Sequence, residues 1–393
     1  MKKIILGFFL FLLLHFENIS LGSLKVSIIW KLILTIWLLI KVLNLRFKNR
    51  LYLPFLLLSI ISLVHIFTDL TIFRLSVNFL LYYLLGVYLS SLSKYKLFKI
   101  LEYLRFFIII IFIPYAFLGL ESLGEVYDLE KYGGGEGLSG PFANPHTASM
   151  ILAIIGVVNF FFFLRYSKTR TSKGLNFFIL SLSIYFLLST FVRTGIAMFI
   201  IGIVLILINK IQVKTVLKAT ILILTTIFIT INFINKDSSF YKRMIGESKY
   251  NKEESFEQYG SGRGLLFFHG LDIIKSYDNP FQYLFGIGES ELRAQIKIRT
   301  GNPLVTHNGF LDITIVHGFL GLILITYFLY KNLTLLLKSN SNFRILGLAV
   351  FFTIITMIFF QDHRRFYSVL ILFLINSLIL THNHETKKVN PLQ

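Results

Sequence analysis

The chain has no cysteine and little charge. Without a thiol there is no disulfide framework, no thiolate nucleophile and no cysteine-based metal site. Only 15% of the 393 residues are charged, against 55% that are hydrophobic. A soluble domain of this length needs far more polar surface, so the composition points to membrane before any motif is read. Acidic residues are scarce as well: 20 Asp and Glu stand against 39 Lys and Arg, a formal charge of +19. In a soluble protein that excess would suggest nucleic acid. Here the basic residues fall in short loops between apolar runs, where they act as inward-facing anchors. His146, His269 and His317 show no metal-ligand spacing with acidic partners, so no metal is expected.

What the chain does have is long apolar runs, with a mean hydropathy of +0.72. A spanning helix needs about 20 mostly apolar residues. The runs predict spans at 4–21, 26–44, 51–68, 72–92, 104–121, 143–164, 175–190, 193–209, 215–235, 308–330, 343–360 and 365–381. The expected fold is therefore all-α, a polytopic membrane protein of about twelve transmembrane helices. It forms a single integral membrane domain over 1–393, with one long extracytoplasmic loop at 236–307 that carries short amphipathic helices. The N-terminus imitates a signal peptide, with Met1-Lys2-Lys3 before an apolar Ile4–Leu14. Glu17, Asn18 and Ile19 follow in place of a small-x-small cleavage site, so the segment reads as a first span.

The short loops test the count. With the N-terminus inside, the cytoplasmic segments are Arg46–Arg50, Lys94–Lys99, Arg165–Lys173, Asn209–Lys214, Lys331–Lys338 and the tail with Lys387-Lys388, and every one is basic. The opposite set is nearly free of basic residues in its short members, apart from Lys25, Arg74, Lys131, Arg193, Arg364 and Arg365. A missed helix would scramble this alternation, so the positive-inside rule supports both number and orientation.

Several polar residues stand at membrane edges. Arg193 lies at the end of a span, in Ser189-Thr190-Phe191-Val192-Arg193. An arginine there costs several kcal/mol unless paired or hydrated; it either snorkels or marks an anion site. Arg263 lies in Gly260-Ser261-Gly262-Arg263-Gly264, ahead of apolar Leu265, Leu266, Phe267 and Phe268. That pattern reads as a loop opening a membrane-surface helix, whose free amides and arginine suit a phosphate oxygen. His307 sits where the long loop returns to the membrane, in Thr306-His307-Asn308-Gly309-Phe310-Leu311-Asp312. Imidazole titrates near neutrality and can take a proton from a hydroxyl, or it can merely cap a helix. Asn308 and Asp312 are candidates to line a polar cavity. Arg364 and Arg365, after Asp362 and His363, form another polar cluster that could face the same cavity or cap helix ends. The run Gly133–Gly137 lacks a following Gly-Lys-Ser/Thr and reads as a loop without a phosphate role.

Taken in order, these residues resemble the O-antigen ligase and polymerase superfamily of bacterial envelope glycosyltransferases. Gly140-Pro141-Phe142-Ala143-Asn144-Pro145-His146 resembles the family's Gly-x-Phe-x-Asn-x-Asn, with His146 in place of the second Asn. Ser189–Arg193 resembles its Ser-Arg span end, with Val192 replacing the serine. Gly262-Arg263, then Phe285-Gly286-Ile287-Gly288, resembles the loop arginine and its Gly-x-Gly. Thr306–Leu311, then His317-Gly318-Phe319-Leu320-Gly321-Leu322, resembles the signature His-Asn-x-x-Leu and Gly-Leu-x-Gly. The resemblance covers about residues 138–330.

The resemblance implies an inverting glycosyltransferase that needs no cofactor and no metal. Its donor is a polyprenyl-diphosphate-linked glycan at the outer face of the cytoplasmic membrane. Arg193 and Arg263 would bind the diphosphate and His307 would be the catalytic base. Asn144, His146, Asn308, Asp312, Arg364 and Arg365 are candidate cavity residues. A polymerase of repeat units is expected ahead of a ligase that attaches the finished glycan to a lipid core. A lipid-linked oligosaccharide flippase and a non-catalytic scaffold are the readings from other classes. Expected partners are the lipid-linked oligosaccharide, a glycan acceptor and the bilayer, with a chain-length regulator and a flippase of the same pathway as further candidates, and no nucleic acid. Both termini are expected in the cytoplasm.

Overall fold

The computed structural model describes residues 2–16, 19–21, 24–43, 45, 50–65, 71–123, 137–142, 144–208, 263–301, 303–360 and 366–389. The expected span 215–235, most of the Gly133–Gly137 run, the first part of the long loop, and Arg364 and Arg365 lie outside the described residues.

The described chain is helical, and its only strands are the two-residue pieces Ser20–Leu21 and Leu24–Lys25. The helices are α1 Lys2–His15, α2 Val26–Leu43, α3 Leu53–Leu63, α4 Thr71–Ser90, α5 Lys94–Ile110, α6 Ile113–Phe117, α7 Pro145–Tyr166, α8 Arg170–Ser189 and α9 Arg193–Ile208. Beyond the undescribed stretch follow α10 Arg263–Lys275, α11 Pro280–Phe285, α12 Glu289–Thr300, α13 Gly309–Lys338, α14 Arg344–Phe360 and α15 Phe366–Val389. Among the described residues, six helical segments are long and apolar enough to cross a membrane, and four further apolar helices are shorter. The protein is thus a multi-pass membrane protein. Each expected span within the described residues overlaps helix, but 4–21 is realised as the 14-residue α1, 51–68 as the 11-residue α3, and 104–121 as the end of α5 and the short α6.

The chain divides into two compact units. The first comprises Met1–Leu21, Glu102–Glu254 and Leu348–Ile354; the second comprises Gly22–Leu101, Ser255–Gly347 and Ile355–Gln393.

The first unit is built on α7, which is buried on every side from Thr147 to Asn159. A helix apolar all round belongs in a protein interior. Small residues let its neighbours approach closely: Gly195 of α9 abuts Ser149, and Phe199 lies over Gly156. Such contacts are how helices associate in lipid, where no hydrophobic force distinguishes protein from solvent. One polar chain runs through this core. Arg105 of α5 is 3% exposed, and its guanidinium lies between the Phe106 and Phe162 rings, 4.1 and 4.2 Å from their centroids. It donates to Asn159 Oδ1 at 3.3 Å, and Asn159 Nδ2 donates to Ser183 Oγ at 2.9 Å. The sequence reading missed Arg105, because it follows the basic Lys94–Lys99 segment and looks like one more anchor.

The second unit pairs α3 with α4. Ser59 and Ser76 exchange hydroxyl-to-carbonyl hydrogen bonds of 2.9 Å. The Tyr52 ring covers Gly86 and packs on Phe373. Its central feature is a break in α13. Gly318 has φ 68° and ψ −171°, which interrupts the helix. The sequence reading expected one unbroken span at 308–330; the structure instead shows a nine-residue half-helix, 309–317, ahead of a 20-residue one, 319–338.

The break is filled by backbone. The Ile287 amide donates to the Ile315 carbonyl at 2.9 Å and the Gly288 amide to Val316 at 3.3 Å. A Cβ on Gly318 would meet the Leu284 carbonyl, and one on Gly286 would meet that of Ile315. Gly286 itself has φ 77° and ψ −164°. Both conformations belong to a region that only glycine occupies readily. The α11–α12 turn and the broken helix therefore interlock main chain to main chain.

Gly318→Ala is expected to destabilise the protein by at least about 1–3 kcal/mol from backbone conformation alone, with the steric clash added. Gly301 also has positive φ, at 77°, but nothing lies within 4 Å of its Cβ position, and its left-handed cap conformation accepts asparagine. Thermal melting of purified protein should show a marked loss for Gly318→Ala and little change for Gly301→Asn.

Candidate functional site

His307 lies on the short connection between α12 and α13. It is half-buried and has φ 56°. A bulky residue in the left-handed region is held there by its surroundings, and the holding groups can be named. The Thr306 amide and hydroxyl both meet Asp312 Oδ1, at 3.0 and 2.7 Å. The Asn308 amide lies 3.2 Å from the Thr306 hydroxyl oxygen, which accepts from it. Asn308 Oδ1 caps α13 by accepting from the Leu311 amide at 3.0 Å, while Nδ2 donates to the Phe359 carbonyl at 3.1 Å. Thr306 and Asp312 are each 1% exposed. The residues on either side of His307 are thus fixed by buried bonds.

Asp312 and Asn308, expected as cavity-lining groups, spend the polar atoms just named on shaping this turn. Low dielectric strengthens such bonds and makes their loss costly.

Arg263 begins α10. Gly270, on the same helix, faces the Leu311 and Thr306 side chains. Arg263 is seven residues from that contact, about 10 Å of helix. The unit therefore brings the arginine's helix directly onto the turn that carries His307. Tyr277, just after α10, donates its hydroxyl to the Ile315 carbonyl at 3.2 Å. Burial, with the neighbouring Tyr283, pushes its hydroxyl well above the usual tyrosine range, so it remains a neutral donor.

Arg193 belongs to the first unit. It opens α9 and is exposed. The turn before it is as constrained as that at His307. Phe191 has φ 54°, Thr190 Oγ1 donates to the Leu187 carbonyl at 2.7 Å and accepts from the Val192 amide at 3.3 Å. The Leu138 amide donates to the Ser189 carbonyl at 2.9 Å. Among the described residues, Phe191 and His307 are the two non-glycine residues with positive φ. One lies two residues before Arg193; the other is the expected base.

Asn144 and His146 also lie in the first unit. Asn144 caps α7, its Oδ1 accepting from the Thr147 amide at 2.9 Å and from the Thr147 hydroxyl at 3.1 Å. His146 occupies the first turn of α7 and is half-buried. Gly140 turns the chain beneath Phe112 with φ 57°. Asn144 therefore starts α7.

Residues 178–326 match the family described as O-antigen ligase. The match contains Arg193, Arg263, the Gly286–Gly288 turn, His307 and Gly318, and leaves Asn144 and His146 outside. It supports the resemblance to the O-antigen ligase and polymerase superfamily, whose members are membrane enzymes that transfer glycans. No curated protein matches the chain.

Thr306→Val keeps the side-chain shape but removes the hydroxyl that serves Asp312 and Asn308. It is expected to cost about 1–3 kcal/mol, whereas Thr306→Ser should retain most of the stability. Melting curves of the two variants check this.

Proposed function

We propose that the protein polymerises polyprenyl-diphosphate-linked glycan repeat units at the outer face of the cytoplasmic membrane. In this reading it has about twelve spans, both termini lie inside, and the loop 236–307 lies outside. The observation that carries the reading is the pair of constrained turns. Strained, over-determined backbone clusters where a side chain must be presented rather than packed. Here the two cases bracket Arg193 and His307 inside the family-matched stretch.

The chemistry follows from the residue types. An imidazole nitrogen of His307 takes the proton of an acceptor hydroxyl. The freed oxygen attacks the anomeric carbon from the face opposite the diphosphate. The bond between that carbon and the diphosphate oxygen breaks, and its electron pair leaves with the lipid diphosphate, so configuration inverts. Arg193 and Arg263 bind that diphosphate and offset the charge developing on it, as preorganised cations do. Because the leaving group is already activated, no nucleotide sugar and no metal enters the step.

A ligase would share this step and differ only in its acceptor. A transporter would use the interrupted α13 as an ion site, with carbonyls freed at the break. Here the Ile315 carbonyl takes two donors and the Val316 carbonyl one, all from the protein itself. That occupancy favours transfer chemistry over ion coordination.

Deleting the gene should leave single repeat units on the lipid carrier. Full-length unattached chains would point to a ligase, and loss of lipid-linked units from the outer leaflet to a flippase. His307→Ala should lower transfer by roughly 10²–10⁴-fold while the protein still reaches the membrane; normal chain length in that variant would sink the base assignment. Arg193→Ala and Arg263→Ala should raise the donor concentration needed for half-maximal rate, and unaltered donor kinetics would count against them.

A further inference from the structure

The second unit holds a further cationic group that the transfer step above does not use. Glu289, the first residue of α12, is 2% exposed. A buried carboxylate needs a partner, and Arg293 supplies it. Its Nε and one terminal nitrogen donate to Glu289 Oε1 at 3.1 and 2.7 Å. The other terminal nitrogen of Arg293 donates to the Pro303 carbonyl at 3.2 Å.

Arg74 of α4 approaches the same carboxylate oxygen, but only to 3.8 Å, and its side chain is 45% exposed. Among the described residues this loose ion pair is its polar contact; the carboxylate oxygen it faces is already held by Arg293. Two guanidinium groups thus face one carboxylate oxygen, Arg293 closely and Arg74 loosely. Arg74 is the more loosely held of the two, and its half-exposed guanidinium keeps donors for a further anion. Helix stability does not explain the placement, since a cation in the first turn of a helix is unfavourable. Arg74 is also among the few basic residues in the short segments that the charge pattern assigns to the outside.

The cluster is tied to the base. Pro303, bonded by Arg293, is four residues before His307, at most about 14 Å of extended chain. Arg263 lies on α10, a different helix. We propose that Arg74, braced by Glu289 and Arg293, binds the diphosphate of a second lipid-linked substrate, the acceptor. A planar guanidinium with donors to spare suits phosphate oxygens, which it can hold in a bidentate manner. This rests on the polymerase reading and sharpens it. A ligase acting on a finished lipid core has no need of a second polyprenyl diphosphate.

The test uses the full chain in nanodiscs of phosphatidylcholine, with polyprenyl diphosphate lacking any glycan as the probe. Wild type should bind two molecules. Arg74→Gln should bind one tightly, with the second weakened about tenfold or more, the loss expected for one charge-assisted contact. Arg74→Lys should recover part of that loss, and the melting temperature of Arg74→Gln should stay close to that of wild type. Two equal sites in Arg74→Gln, or a single site in wild type, would overturn the assignment of Arg74 while leaving the donor chemistry intact. No binding by wild type would instead overturn the lipid-diphosphate reading itself. An equal loss of phosphatidylglycerol binding would make Arg74 a general headgroup anchor, and a large fall in melting temperature would make it a structural pin. Either result overturns the proposal.

Discussion

The second unit depends on one contact, the backbone docking of Gly286–Gly288 into the break of α13. A helix broken inside a membrane protein exposes carbonyls that have no water to meet, at a cost of several kcal/mol each if left unsatisfied. Here the exposed carbonyls are met by amides from about thirty residues upstream, in the α11–α12 turn. One bargain solves two problems. The break is satisfied, and the segment between the two docked pieces of main chain, which includes α12 and the His307 turn, is tied down at both of its ends. His65 adds a third tie, with Nε2 2.9 Å from the Phe285 carbonyl.

This arrangement gives a physical meaning to the spaced glycines. Gly286 and Gly318 are required because two main chains meet where neither can carry a Cβ. The sequence resemblance reads Gly286-x-Gly288 and the glycines after His317 as signature positions; the structure makes Gly286–Gly288 and Gly318 two halves of one joint. His307 is presented by different means. Its own backbone lies in the left-handed region between Thr306, Asn308 and Asp312, which are buried while His307 is half-buried. The division of labour is between residues that touch substrate in the proposed step and residues that shape the turn. Asp312 and Asn308 both make bonds that shape the turn.

Much of the architecture was legible because membrane spans advertise themselves by length and apolarity alone. The helix starts near Asn144 and Asn308 were legible too, as the beginnings of apolar runs, but the capping by these two side chains was not. The break at Gly318 was not. Ile315-Val316-His317-Gly318-Phe319-Leu320 reads as a continuous apolar helix with one tolerated glycine, and its partner turn lies far away in sequence. Arg105 was missed for a related reason: its burial depends on Asn159 and two phenylalanine rings that come together only in the fold. Arg74 was visible only as an exception to the charge pattern. What set it apart was the discovery that Glu289 is buried and already held by Arg293.

Hydrogen exchange tests the docking directly. In nanodisc-reconstituted protein, the amides of Ile287 and Gly288 should exchange about as slowly as those of the membrane helices, because each is bonded into the break of α13. Exchange of these two amides as fast as in an open surface loop would contradict the docking, and with it the account of how the His307 turn is held.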